Sequence, residues 1–396
     1  MTLRKITAII LVMMALLPGC AAILEGDTIY VTPHSGFQNI SPPVERMVAS
    51  NYDELKESML DFIMQHRASD LILIYTYDGD VSADVDRASN EIKNYDPVGV
   101  YAVSELICTV TRIVALYEVE VNVEYRRTHR QVSSITAVAS EQELNEQLLR
   151  AMSAYRNEML IRTSINMMPE DILNAVSETY YLNPRNILMM PSVAVETFPE
   201  IGVDRIFEFS FGYIPQTNIL RQNTESLSRS VRFHASLAVG ESEEEITLSL
   251  VENLIAGCDF NEGMARTISE HGVQNFAATA YGALENANAV GEGFAMAFKA
   301  LCDELGIFNR VVLGRLGGMI HAWNIVLLAG DYYHIDVSMC AVNGMETAFL
   351  KTDADFMELY AWDIENTIAC AGPLTYYDVR NAMTPSVENG MSDEVE

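Results

Sequence analysis

The chain has 396 residues, 55 of them acidic and 25 basic, for a formal net charge of −30. That balance excludes nucleic acid as a partner, since phosphate binding needs clustered Lys and Arg. A content of 49% hydrophobic and 20% charged residues is globular composition, and the length allows two or three domains.

The N-terminus opens with Arg4 and Lys5, an apolar run from Ile6 to Leu17, and then Leu17-Pro18-Gly19-Cys20. A run of about a dozen apolar residues is too short to span a bilayer and reads as the core of an export signal. The tetrapeptide resembles the bacterial lipobox. The expectation is therefore a signal peptide over 1–19, lipidation of Cys20, and export with a lipid anchor on the outer face of the membrane. The alternative is an ordinary signal cut after Ala21 or Ala22. Residues 20–48 carry Gly26, Gly36, Pro33, Pro42 and Pro43 with little periodicity, and read as a membrane tether.

Two segments then repeat a pattern. The first, 49–130, places Leu55, Met59, Phe62 and Ile63 at helical spacing and follows them with the strand-like run Leu71 to Tyr75. The second, 138–236, does the same with Leu144, Leu148, Leu149 and Met152, then Met159-Leu160-Ile161. Each passes a proline, Pro97 or Pro184, and closes on an alternating strand ending at Tyr125 or Tyr213, about 88 residues apart. Two small α/β modules in tandem are expected, each a helix, a strand, a helix and a strand pair. Alternation leaves one face of the closing strand wet or covered by a neighbour. The modules suit presentation, binding or spacing, because neither contains a cluster of His, Cys or carboxylates suited to catalysis.

Residues 241–380 read as a last domain, followed by an acidic tail over 381–396. Glu243, Glu244 and Glu245 favour a helix start, with Ile246, Leu250, Val251 and Leu254 on one side. A second helix begins at Gly291 with Phe294, Phe298, Leu301 and Leu305 at core spacing, and Gly306 stops it. Three strands follow, at Val311-Val312-Leu313-Gly314, at His321-Ala322-Trp323-Asn324-Ile325-Val326 and at Tyr332-Tyr333-His334-Ile335-Asp336-Val337.

These motifs resemble the bacterial transglutaminase-like superfamily over about residues 241 to 375. The resemblance implies an α+β chain with a C-terminal papain-like domain, in which a cysteine opens the long helix, a His-Ala-Trp-Asn strand supplies a base and the next strand an orienting acid. A thiol at a helix N-terminus is activated by the unsatisfied N–H groups and by an imidazole whose tautomer a carboxylate fixes. His321 and Asp336 match the base and the acid. Gly291 stands at the nucleophile position, where the thiol is absent and covalent catalysis is impossible.

The implied function is that of a cell-surface lipoprotein whose cleft binds a peptide, a protein or a cell-wall polymer without cutting it, with no cofactor and no metal. The alternative is an active cysteine-dependent transglutaminase or peptidase, with Cys258 or Cys340 moved into the cleft. His334 is expected to border the cleft or to face solvent at a sheet edge, Trp323 to lie in the core, and Cys108 and Cys302 to be buried thiols.

Overall fold

The computed structural model describes residues 47–383. Cys20, the expected signal segment, nearly all of the tether and nearly all of the acidic tail lie outside them. The compact unit begins at Val48. Among the described residues no helix is long and apolar enough to cross a membrane.

The first part comprises β1 (Met47–Val48), α1 (Tyr52–Met64), β2 (Ser69–Ile74), α2 (Val81–Asn94), α3 (Pro97–Ala102), β3 (Val103–Ile113) and β4 (Leu116–Tyr125). Each helix starts where a short polar side chain can satisfy the free N–H groups of its first turn. Asn51 accepts from Glu54 N, Asp80 from Ser82 and Ala83 N, and Asp96 from Val98 N. Pro97 follows its cap at the start of the helix, where an N–H would have no intrahelical partner. The expected stripe on α1, Leu55, Met59, Phe62 and Ile63, is fully buried.

The second part comprises α4 (His129–Ser133), β5 (Thr136–Ala137), α5 (Glu141–Ser153), β6 (Glu158–Thr163), α6 (Pro169–Leu182), β7 (Ser192–Phe198) and β8 (Arg205–Gly212). The two sheets run in the orders β1-β2-β4-β3 and β5-β6-β8-β7, so corresponding strands occupy corresponding places. In each, the last strand lies antiparallel between the other two long strands. The closing strand β8 is buried through Ile206, Phe207, Glu208 and Phe209, on both faces. Its polar face is covered by the first part, where Glu208 takes the Arg127 guanidinium at 2.6 Å and the Tyr101 hydroxyl at 3.3 Å. The Arg127 guanidinium also lies 4.8 Å from the centre of the Tyr101 ring.

The third part begins with α7 (Thr217–Ala235), in the range expected for the second module. This helix buries Leu220, Leu227, Val231 and Ala235 and packs against the helices that follow, while Tyr155 and Thr224 share a 2.6 Å hydrogen bond behind it. One core therefore runs without a break from Val138 to Val379. After α7 come α8 (Glu243–Gly257), β9 (Asp259–Phe260), α9 (Glu262–His271), a 3₁₀ turn at Phe276–Ala278, α10 (Ala280–Leu284), β10 (Asn288–Ala289) and α11 (Gly291–Leu305). An antiparallel sheet in the order β13-β12-β11-β14 is built from β11 (Asn309–Leu316), β12 (Met319–Leu328), β13 (Asp331–Ile335) and β14 (Tyr360–Trp362). Four short helices complete the described residues, α12 (Val337–Asn343), α13 (Met345–Ala348), α14 (Asp353–Phe356) and α15 (Tyr376–Met383).

The helix α11 differs from the expected one-faced helix, because every residue from Gly293 to Cys302 is buried, whereas Leu305 is exposed. It lies between β12 and the pair α7 and α8, so it has no solvent side over most of its length. Small residues permit this. A Cβ on Gly293 would stand 2.1 Å from the Ala277 carbonyl oxygen, closer than any real contact. Gly306 ends the helix with φ +76°, as expected for a left-handed cap.

Gly293→Ala should lower the urea midpoint, because the backbone at Ala277 must move to admit the methyl group. Gly263→Ala, in the exposed first turn of α9 where the nearest atom would be 3.7 Å away, should leave the midpoint unchanged or raise it slightly. Equal effects at both sites would show that the close approach at Gly293 contributes nothing to stability.

Candidate functional site

The strand β12 carries His321 beside the N-terminus of α11, and the chain turns from β13 into α12 at Asp336. Asp336 is the cap of α12: its Oδ1 accepts from Met339 N at 3.0 Å and from the Ser338 hydroxyl at 2.7 Å. Its Oδ2 meets His321 Nε2 at 2.6 Å and accepts from the Tyr360 hydroxyl at 2.9 Å. Asp336 is almost completely buried. Burial alone would raise its pKa, but the charge and hydrogen bond of His321, with those of Ser338 and Met339, hold it below the ordinary value.

With Nε2 engaged by Asp336, the Nδ1–Cε1 edge of the His321 ring faces Gly291. A Cβ at Gly291 would lie 2.3 Å from His321 Cε1 and 2.6 Å from Nδ1. The imidazole thus fills the space that a side chain at residue 291 would take. The sequence-predicted trio, Gly291, His321 and Asp336, is brought together, with the imidazole held by the carboxylate and packed directly on glycine backbone.

A cavity of about 140 Å³ opens beside them, lined by Gly291, Glu292, His321 and Leu313 among others, with Tyr181 reaching in from the second part. Tyr181 donates to Glu292 at 2.9 Å. Burial pushes the Glu292 carboxyl from an ordinary 4.5 up to about 7, against the pull of that hydrogen bond. A second cavity of about 390 Å³ lies across His321, lined largely by apolar side chains including Leu316, Met319, Ile320 and Met339.

No cysteine lines either cavity. Cys108, Cys258, Cys302, Cys340 and Cys370 are all free. Burial pushes Cys258, Cys302 and Cys370 up to about 12 and Cys340 well above the ordinary range, so each is a neutral thiol at neutral pH.

His334 departs from both of its expected placements. Although β13 is an edge strand, Lys351 bridges to it and covers it, and His334 is fully buried. Its Nδ1 accepts from Trp323 Nε1 at 3.0 Å, which leaves the proton on Nε2, 2.8 Å from Asp353 Oδ1. Burial lowers its pKa despite Asp353, so the ring is neutral. His334, Asp353 and Cys370 stand close enough to hold a cation. The tautomer opposes it, since the metal would have to displace the Nε2 proton from a ring whose other nitrogen already accepts a hydrogen bond.

Trp323 is fully buried, as expected, in an aromatic cluster with Tyr360, Trp362, Phe356 and His334. Gly314, paired with His321 across the sheet, makes room for it, because a Cβ there would stand 2.6 Å from Trp323 Cη2. Tyr181 and Tyr360 have no local signal in the sequence. Ser338 and Glu292 do, as neighbours of Asp336 and Gly291.

No family model matches the chain, and no curated protein matches it. Among solved structures, a structure described as a TGase matches at 14% identity over 51% of this chain and 59% of that one, with a TM-score of 0.27. A candidate cysteine protease from Cytophaga hutchinsonii matches at 13% identity over 37% of this chain and 62% of that one, with a TM-score of 0.23. A candidate protease from Parabacteroides distasonis ATCC 8503 matches at 9% identity over 68% of this chain and 43% of that one, with a TM-score of 0.20. The match spans less than two thirds of the length of each. Similarity at this level leaves the reading of the site to its own residues.

The two carboxyls should make stability depend on pH in opposite directions. Asp336 is held below its ordinary value, so its contribution is present above that value and is lost as pH falls through the folded-state value. Glu292 is held above its ordinary value, so the folded state is favoured below 4.5 and loses that advantage as pH rises toward 7. In urea titrations, Glu292→Gln should abolish the decline in midpoint between about pH 5 and 7, and Asp336→Asn should blunt the decline below about pH 4. Unchanged profiles would show that neither group is linked to folding.

Proposed function

We propose that this chain is an exported, lipid-anchored surface protein in which two repeated α/β modules precede a transglutaminase-like domain of papain-like fold. The domain retains a base and its orienting acid, has no nucleophile, and binds a peptide, a protein or a cell-wall polymer without cutting it. The observation that carries this reading is the packing of His321 on Gly291. The imidazole sits where a thiol would have to be, at less than contact distance from any Cβ, so the pair cannot serve attack by a side chain at that position. The shared strand order of the first two sheets supports their origin as copies of one unit. Against an active cysteine enzyme stand the buried, protonated thiols of Cys258, Cys302, Cys340 and Cys370 and the two cavity walls without a cysteine.

The full chain should incorporate no fluorescent primary amine into a glutamine-containing acceptor protein and hydrolyse no wall peptide above buffer, and iodoacetamide should change nothing. It should cosediment with isolated cell wall, and Ile320→Glu, at an exposed residue lining both cavities, should reduce that binding several-fold, because a charge would be set against apolar surface. Amine incorporation that disappears with iodoacetamide or with His321→Ala would refute the non-catalytic reading.

A further inference from the structure

A cavity of about 500 Å³ opens where α4, β5, the turn from α5 to β6 and the first turns of α7 meet. None of its lining residues lines the cavities at His321. Its charge is the reverse of the protein's. The chain holds 55 acidic residues against 25 basic, yet this wall carries Arg130, Arg156 and Arg221 against the single acid Glu158.

Some arginines elsewhere in the molecule find carboxylates, as Arg87 does with Glu91, Arg162 with Asp204, Arg185 with Glu304 and Arg310 with Glu178, whereas Arg126, Arg205 and Arg315 donate to backbone carbonyls. Among the described residues, none of the three cavity arginines has a carboxylate oxygen within 4.0 Å. Arg221 donates to the Ala154 carbonyl at 3.0 Å, which satisfies a donor and leaves its charge uncompensated. Glu158 is engaged by Gln131 Nε2 at 3.0 Å. Arg130, Arg156 and Arg221 are solvent-exposed around one concavity, and an anion placed among them would relieve the repulsion between their charges.

We propose that this cavity is a binding site for a phosphate-bearing anion. Planar guanidinium forks match the oxygens of phosphate two at a time. Three of them offer more donors than one carboxylate can accept, and Thr136 and Asn157 on the same wall add neutral hydrogen-bonding groups. The volume exceeds that of a single phosphate, which suits a pyrophosphate or a phosphodiester.

Calorimetric titration of the full chain with inorganic pyrophosphate at low salt should give saturable one-to-one binding. Arg156→Gln and Arg221→Gln should each weaken it about tenfold, the worth of one charge-assisted contact. Arg229→Gln, an exposed charge-matched control on α7 outside the cavity, should leave it unchanged, and succinate should bind more weakly than pyrophosphate. Far-ultraviolet melting of each variant confirms that it is folded. Absence of saturable binding, equal loss with Arg229→Gln, or succinate binding as tight as pyrophosphate would each overturn the proposal.

Discussion

The arrangement of the third part depends on one constraint, the complete burial of α11. A helix without a solvent side must be approached closely from several directions, which requires glycine and alanine where backbones meet and large rings where sheets face it. Gly293, Ala295, Ala297 and Ala300 supply the first requirement, and Phe294 and Phe298 the second. Because the helix cannot shift without disturbing neighbours on every side, its N-terminus is held at a set height against β12. That height brings Gly291 under His321.

The second determinant is the use of Asp336 as a hub. One buried carboxylate caps α12, receives two hydroxyls and holds the imidazole, so helix start, strand end and site share the same four donors. An isolated buried carboxylate would cost several kcal/mol, and the donors offset that cost. The aromatic cluster around Trp323 surrounds this arrangement with rigid apolar surface, and His334, neutral and fixed in one tautomer, belongs to that support.

Most of the element order was legible in the sequence because it rested on local signals. The acidic first turn at Glu243 to Glu245, the stop at Gly306 and the stripes on α1, α5 and α8 all act within one or two turns. The juxtaposition of Gly291, His321 and Asp336 was legible because each sits in a short run with its own pattern. What escaped depends on contacts between distant segments. The burial of α11 on all sides cannot be read from its periodicity, and the attachment of α7 to the third part follows from surfaces that the sequence does not display together. Tyr181 and Tyr360 come from far along the chain. His334 lies outside both expected places because the bridge to Lys351 closes a strand edge that the local sequence leaves open.

The junction between the first two sheets has a mechanical consequence. Arg127 and Glu208 form a largely buried ion pair flanked by Tyr101 and Phe198, and such a pair resists partial separation more than apolar packing of the same area does. A small displacement leaves two charges both unpaired and still dry, so the restoring force rises steeply over the first ångström. A load entering through the N-terminal end of the compact unit crosses this junction, and the chain segment beside it, before it reaches the core that runs from Val138. Parting the two sheets there would uncover one charge on each side together with the rings of Tyr101 and Phe198.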